Sequence, residues 1–281
     1  MALTAFQLHN VRLLLLSGIG APYDPNTGKG VVGRNFCYQM MGGAQVVMPK
    51  GTRINPFASA GAAASCIDDF NGENFDHGPL GFIGGAGIWH NKSGGRPISQ
   101  SAPMPGSPAW GSEWKKGLKE GYQRITNVTS HGSVQPYRDV YLDLDPTYQD
   151  AFGMPLIRVT LNWHDNEFKM SAYTSEQTAK IGKAMGAETV TQTNLKTGTP
   201  FNTTYYQTTH TTGGAVMGDD PSTSVVNRYL QSWDVPNVFV YGSSAFPQNM
   251  GYNPTGLVGA LAYWSTHHLK NTYLKKPGAM V

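Results

Sequence analysis

The sequence predicts an α+β protein in which α/β texture at both ends of the chain encloses a middle region of mostly antiparallel strands. Three observations lead there. An apolar helix pattern occupies residues 4–17. Between about residues 28 and 199, short apolar runs are separated by Gly, Pro and Asn, with strict alternation at 157–163. From about residue 205 the texture changes again. There the continuous apolar run Val238-Phe239-Val240-Tyr241 precedes a long helix pattern that opens at Asn253-Pro254.

Each element has a local reason. In the first helix, Thr4 with Gln7 forms a capping-box pattern, and Phe6, Leu8, Val11 and the four leucines at 13–16 are apolar. Gly18 is placed to stop it. Its last turns are apolar on two sides, so it is expected to need partners on more than one face, including chain that would precede it. Strands are expected at 45–48, 80–83, 140–144 and 156–163, the last with Ile157, Val159, Leu161 and Trp163 on one face. Residues 103–108 read as a turn-rich loop. One amphipathic helix is expected at 175–185, with Thr174 and Gln177 at its start, Ile181 and Met185 facing inward and Gly186 as its stop. Residues 238–241 read as a central strand buried on both faces. Residues 254–274 read as a helix with Asn253 at the N-cap, Pro254 at N1, and Leu257, Val258, Leu261 and Trp264 inward. The resulting divisions are 1–35, 36–203 and 204–281, the middle one an insertion between two pieces of one α/β domain.

Composition narrows the function classes. Charged residues make up 14 %, against roughly 25 % in an ordinary globular domain. With 34 Gly and 18 Pro, this favours a loop-rich protein over a helical bundle. Net charge is +3 and no basic run exceeds a pair, so nucleic acid is not an expected partner. Cys37 and Cys66 could be two thiols or one disulfide, and neither belongs to a C-x-x-C pair. The histidines are scattered, and no metal site is expected. The leucine block at 13–16 makes a poor signal peptide. No run approaches the ~18 apolar residues of a membrane span.

Several motifs are weighed and set aside. Gly28-Lys29-Gly30-Val31-Val32-Gly33 fits G-x-G-x-x-G, but a loop precedes it and no acidic residue occurs between Gly33 and Asp68. It reads as a glycine-rich loop. Gly242-Ser243-Ser244 lacks the second glycine of a nucleophile elbow, because Phe246 stands there. His267 and His268 read as ordinary helix histidines, with His268 on the inner side. His90 and His164, each after a tryptophan, read as structural or substrate-wall residues. His210 differs. It ends a Thr/Tyr-rich run, precedes Gly213-Gly214, and is linked through a strand to Asn253 at a helix start. A neutral histidine with a pKa near ~6.5 can accept an alcohol proton, and an asparagine amide can hydrogen-bond the resulting alkoxide.

These residues resemble the glucose-methanol-choline (GMC) flavoprotein oxidoreductases, most of all the branch acting on sugar acids and polyols. Arg12-Leu13-Leu14-Leu15-Leu16-Ser17-Gly18-Ile19-Gly20 resembles the second family signature, although His9-Asn10 replace its usual Ser/Thr-Pro. Val32-Gly33-Arg34-Asn35 resembles the element that follows it. The segment from His210 to the 254–274 helix resembles the C-terminal signature. The resemblance implies His210 as catalytic base and Asn253 as the second member of the pair. Gly242, Ser243, Asn253, Pro254 and Thr255 would line FAD, whose reduced ring is negative and would suit the free N–H groups of a helix start.

It also implies an antiparallel substrate domain at 36–203 and an incomplete FAD-binding domain made of the two flanking pieces. The family's ADP-binding strand–G-x-G-x-x-G–helix has no counterpart in residues 1–35. The chain is therefore expected to be part of an alcohol or polyol dehydrogenase whose partners would be a missing N-terminal half or an electron-accepting subunit. Alone, it should bind FAD weakly or not at all. A periplasmic or membrane-associated location is implied by family alone. The alternative is a non-catalytic remnant or binding module.

Overall fold

A computed structural model describes residues 1–55, 65–91, 103–203, 208 and 210–280. The chain divides into two compact units. Met1–Gln39, Ser133–Trp163 and Pro200–Val281 form the first, and Met40–Gly132 and His164–Thr199 form the second. Residues 133–163, which the sequence places in the middle segment, thus belong with the two chain ends.

The first unit is built from short pieces. Strand β1 (Ala2–Leu3) leads into helix α1 (Gln7–Leu16). The expected Thr4/Gln7 capping box is replaced: Phe6 is the N-cap, and Asn10 Oδ1 accepts the Ala5 N–H at 3.0 Å instead. Gly18, at φ +63°, ends the helix as expected, with Ile19 N–H donating to Leu14 O at 3.0 Å. One face of α1 is buried, through Gln7, Asn10, Val11 and Leu14, while Leu13 remains exposed. Strand β2 is Cys37–Tyr38. Residues 28–33 form a loop tied by the Asp24–Lys29 bridge, as expected of a glycine-rich loop.

The second unit contains a five-stranded antiparallel sheet of β3 (Met40–Val47), β4 (Ser65–Ile67), β5 (Ala86–Asn91), β6 (Ile125–Gly132) and β9 (Thr189–Thr193). Its order is β4-β5-β6-β3-β9, and β3 pairs with β6 from Met40↔Gly132 to Val47↔Ile125. The expected strand at 80–83 does not form. A 3-10 turn, Gly78–Leu80, and irregular chain take its place, and the aromatics around it (Phe75, Phe82, Tyr173) pack on one another. Residues 103–108 are loop, as expected.

Two helices in this unit depart from expectation. Helix α2 (Gly111–Arg124) was not anticipated, because Gly111, Gly117 and Gly121 break its pattern. Its end is fixed by Arg124, buried between Glu120 and Glu188 and donating through Nε to Met48 O at 2.8 Å. Helix α3 (Asp165–Ala184) begins ten residues before the expected start. The true start signal is Asp165 and Glu167 in the first turn, with His164 N–H donating to Glu167 Oε2 at 3.3 Å. Its buried face holds Glu167, Met170 and Ala179 but is mostly small and polar, through Ser171, Thr174, Ser175, Thr178 and Gly182. That face lets the helix lie close on the sheet: a Cβ on Gly42 would stand 2.8 Å from Ser175 Oγ. Ser175 Oγ accepts the Gly43 N–H, and Ser130 donates to Thr174 Oγ1 at 3.1 Å.

The remaining elements return to the first unit. β7 (Tyr141–Gln149) and β8 (Pro155–Thr160) form a hairpin irregular after Leu144. β10 (Thr211–Thr212) pairs antiparallel with β2. β11 (Phe239–Val240) pairs parallel with β1. Val238, Phe239 and Val240 are all buried, as expected of a central strand, though the ladder is shorter than 238–241. Helix α4 is Thr255–His268, with a π-turn at Leu269–Tyr273 closing the expected span. Its N-cap is Pro254 rather than Asn253. Leu257 and Trp264, expected inward, are 41 % and 48 % exposed. His268 packs against Tyr229 and Trp264, while His267 is exposed. Val11, Leu14, Val32, Phe36, Leu142 and Val240 are among the residues of the unit's main core. Cys37 is a buried free thiol and Cys66 an exposed one. Among the described residues no helix is long and apolar enough to cross a membrane.

Candidate active site

His210 sits at the entry to β10, and its place is fixed on both sides of the chain. The Thr/Tyr-rich run at 204–207 lies outside the described residues. The His210 N–H donates to Thr208 Oγ1 at 3.1 Å. Its carbonyl accepts from the Gln39 N–H at 3.1 Å and from Asn249 Nδ2 at 2.9 Å. On the ring, Nδ1 lies 2.5 Å from Gln39 Oε1. The ring is half-buried, and this burial pushes its pKa below 6.5 by penalising the imidazolium. The neutral form is thereby favoured.

The Gly213-Gly214 pair that follows is forced by close approach. Gly213 has φ +80°, and a Cβ there would lie 1.8 Å from Asn35 O. Its N–H donates to Ser243 O at 3.0 Å and its carbonyl accepts from Gln7 Nε2 at 2.6 Å. Gly214 N–H donates to Arg34 O, and Gly33 N–H donates to Gly214 O at 2.7 Å. The His210-x-x-Gly-Gly run is thus threaded between the Val32–Asn35 turn and the short 3-10 helix Ser243–Ala245. Ser243 Oγ donates to Thr211 O at 2.8 Å, and Ser244 Oγ accepts from Asn10 Nδ2. These hydroxyls serve the packing of the turn, which agrees with setting aside a serine nucleophile.

Gly242 and Ser243 line a cavity of about 350 Å³ together with Phe6, Gln7, Tyr241 and Val258. That size and largely apolar wall suit a section of a large aromatic cofactor. Gln7 Oε1 is buried with no hydrogen-bond partner among the described residues, so an acceptor is on hand for a bound donor. Asn253, Pro254 and Thr255 stand at the start of α4 and are not wall residues of this cavity; Asn253 and Thr255 are exposed. The segment before Asn253 is instead held by Gln39, whose Nε2 donates to Met250 O at 3.1 Å and to Tyr252 O at 3.0 Å. The same side chain therefore touches His210 and the approach to Asn253. No group of three His, Cys, Asp or Glu residues suited to a metal occurs among the described residues.

Residues 136–262, which include His210, the Gly213-Gly214 pair and most of α4, match the GMC oxidoreductase family. These residues carry the GMC oxidoreductase C-terminal domain. Members of this family depend on FAD. The chain is 52 % identical to the gluconate 2-dehydrogenase flavoprotein of Pantoea cypripedii, over 99 % of its own length and 45 % of that protein. It is 28 % identical to the 2-methyl-1,2-propanediol dehydrogenase of Mycolicibacterium austroafricanum, over 89 % of this chain and 44 % of that one. With the fructose dehydrogenase large subunit of Gluconobacter japonicus it shares 31 % identity, over 50 % of this chain and 25 % of that one. The chain spans about half the length of the first two relatives.

Several functional neighbours in this chain escape sequence reasoning. Gln39 and Asn249, both fully buried, hold His210, yet each lies in a run with no motif of its own. Asn10 could have been found, because it stands where the family signature usually has Pro. Its Nδ2 donates to Tyr241 O at 2.7 Å, beside Gly242.

Proposed function

We propose that this chain carries the reaction side of an FAD-dependent dehydrogenase that oxidises the CH–OH group of a sugar acid, polyol or other alcohol. The observation that carries this reading is His210: a neutral, half-buried imidazole anchored through Nδ1, on the strand that runs into the Gly213-Gly214 turn and the Ser243 side of the cavity. FAD, when bound, supplies the acceptor for the hydride leaving the alcohol carbon. His210 takes the hydroxyl proton, and Asn253 offers an amide N–H to the oxygen as charge builds on it. Gly242 and Ser243 would hold part of the cofactor through the cavity they line. Pro254 and Thr255 would act through the open N–H groups at the start of α4. The named relatives act on gluconate, 2-methyl-1,2-propanediol and fructose, all hydroxyl compounds, which supports the substrate class.

The proposed divisions follow the same reading, adjusted to the two compact units: Met1–Gln39, Ser133–Trp163 and Pro200–Val281 belong to the cofactor side, and Met40–Gly132 with His164–Thr199 selects substrate. We assign the ADP end of FAD to a complementary segment and the electrons to a partner subunit. The test is anaerobic mixing of the flavin-loaded protein with gluconate, 2-methyl-1,2-propanediol and fructose in turn. The proposal expects loss of the oxidised-flavin absorption band with at least one of them. An unchanged band with all three, and with a wider panel of polyols, contradicts it.

A further inference from the structure

We infer that Gln39 is a positioning residue that fixes the tautomer of His210, placing the proton on Nδ1 and leaving Nε2 as the basic nitrogen. The inference deepens the proposed function, because it rests on His210 being the base and says which of its atoms accepts the proton.

It follows from hydrogen-bond inventory. Gln39 is fully buried, and one end of its amide meets two backbone carbonyls, Met250 O at 3.1 Å and Tyr252 O at 3.0 Å. A carbonyl can only accept, so that end must be the NH2 group. The other end is then the oxygen, and it lies 2.5 Å from His210 Nδ1. An amide oxygen can only accept, so Nδ1 must carry the hydrogen. A neutral imidazole holds one proton, which assigns the lone pair to Nε2. The backbone reinforces the geometry, since the Gln39 N–H also donates to His210 O. A flip of the amide would set its oxygen against the two carbonyl oxygens of Met250 and Tyr252, so these carbonyls lock the orientation and the ring tautomer follows from it.

The choice of glutamine over a carboxylate has a consequence. Gln39, Thr208 and Asn249, which hold His210, are all neutral. The titratable groups on the adjoining strand are the buried Cys37 thiol, opposite Thr212, and Tyr38, whose hydroxyl accepts the Thr208 N–H at 2.9 Å. A neutral acceptor orients the ring without stabilising its imidazolium, whereas a carboxylate in the same place would do both.

The experiment is ¹⁵N NMR of the histidine rings in the full 281-residue chain, with the His210 signals assigned by their loss in His210→Gln. The inference expects wild-type His210 at pH 7.5 to be neutral, protonated on Nδ1 and unprotonated on Nε2. A ring protonated on Nε2 alone overturns it. Gln39→Glu should keep the Nδ1–H tautomer and move the titration midpoint of His210 up by about 1 to 3 pH units. Gln39→Met should lose the single tautomer. An unchanged midpoint in the first variant, or an unchanged tautomer in the second, also overturns it. Both variants lose donation to Met250 and Tyr252, so either could misfold; the wild-type spectrum decides by itself. Turnover plays no part in this readout. A His210 that proves dispensable for oxidation would sink the base assignment and leave the tautomer result standing.

Discussion

The two units of this chain satisfy their buried backbone by different means. In the five-stranded unit, ladders running from Met40↔Gly132 to Val47↔Ile125 and from Gly43↔Thr193 to Val47↔Thr189 pair the main chain regularly. In the first unit the β7–β8 hairpin keeps a ladder, but β1, β2, β10 and β11 are two residues each, and around them side-chain amides take over the pairing. Asn10 joins Ala5 N–H to Tyr241 O, and Gln39 joins His210 to Met250 and Tyr252. Gln231 donates to Pro236 O and Gly278 O while accepting the Met280 N–H. Buried polar groups are costly unless bonded, so each of these amides is committed to one geometry. A regular ladder gives a scaffold; a set of locked amides gives individually placed carbonyls and ring nitrogens, which is what a reaction site requires.

This contrast can be broken or sharpened by substitution. The largest stability effect is expected from Asn10→Leu, which keeps the volume but strands the Ala5 N–H and Tyr241 O. At about 1–3 kcal/mol for each stranded group, the loss should approach several kcal/mol, read from the midpoint of urea unfolding. A loss below about 1 kcal/mol would mean that water replaces the amide and that the clamps are not structural. In the other unit, Gly42→Val forces a side chain into the space held by Ser175 and Ser130. Overpacking of this kind costs about 1–3 kcal/mol, and the His210 ring signals should not move. If they do, the separation of roles between the units is wrong. The smallest effect is expected for Lys180→Ala, which removes an exposed pair with Glu176 one helical turn away. Its cost should stay near ~0.3–0.5 kcal/mol and shrink with added salt.

A pH experiment probes the site alone. Burial holds the His210 pKa below 6.5, so the base stays unprotonated through neutrality and into mild acid. Turnover should therefore be level above pH 6.5 and fall only as pH drops through the lowered pKa. Gln39→Glu should carry that acid limb to higher pH. The sign for stability agrees: the unfolded histidine binds a proton first, so the folded state loses stability as pH falls below about 6.5. An acid limb centred above pH 7 would contradict the neutral-partner account.

The same contrast explains what the sequence revealed. The apolar runs at 45–48 and 238–241 report pleated, buried backbone, and strands or buried chain lie there, whereas the alternation at 157–163 yields a strand that ends at Thr160 and leaves Val159 39 % exposed. His210, the two glycines and the Gly242-Ser243 turn were legible because a family pattern marks them. Helix α3 was half-hidden because its buried face is mostly Ser, Thr and Gly, suited to close approach to β3, with Met170 and Ala179 its few buried apolar residues. Helix α2 was hidden by its glycines. Gln39, Asn249 and Asn10 were invisible to periodicity because an isolated polar residue in a run says nothing of whether it will be buried and bonded. Asn253 shows the reverse case. Its pattern is clear, but the structure leaves its side chain exposed and links its segment to His210 through Asn249 and through the Gln39 contacts to Met250 and Tyr252.

The most direct test of the central claim is turnover of the flavin-loaded protein carrying His210→Ala, measured with whichever hydroxyl substrate reduces the wild type. A base placed as His210 is placed contributes about 10²–10⁴-fold to the rate, so kcat should fall by that factor while bound flavin is retained. A loss of less than about tenfold with flavin still bound would remove His210 from the chemistry.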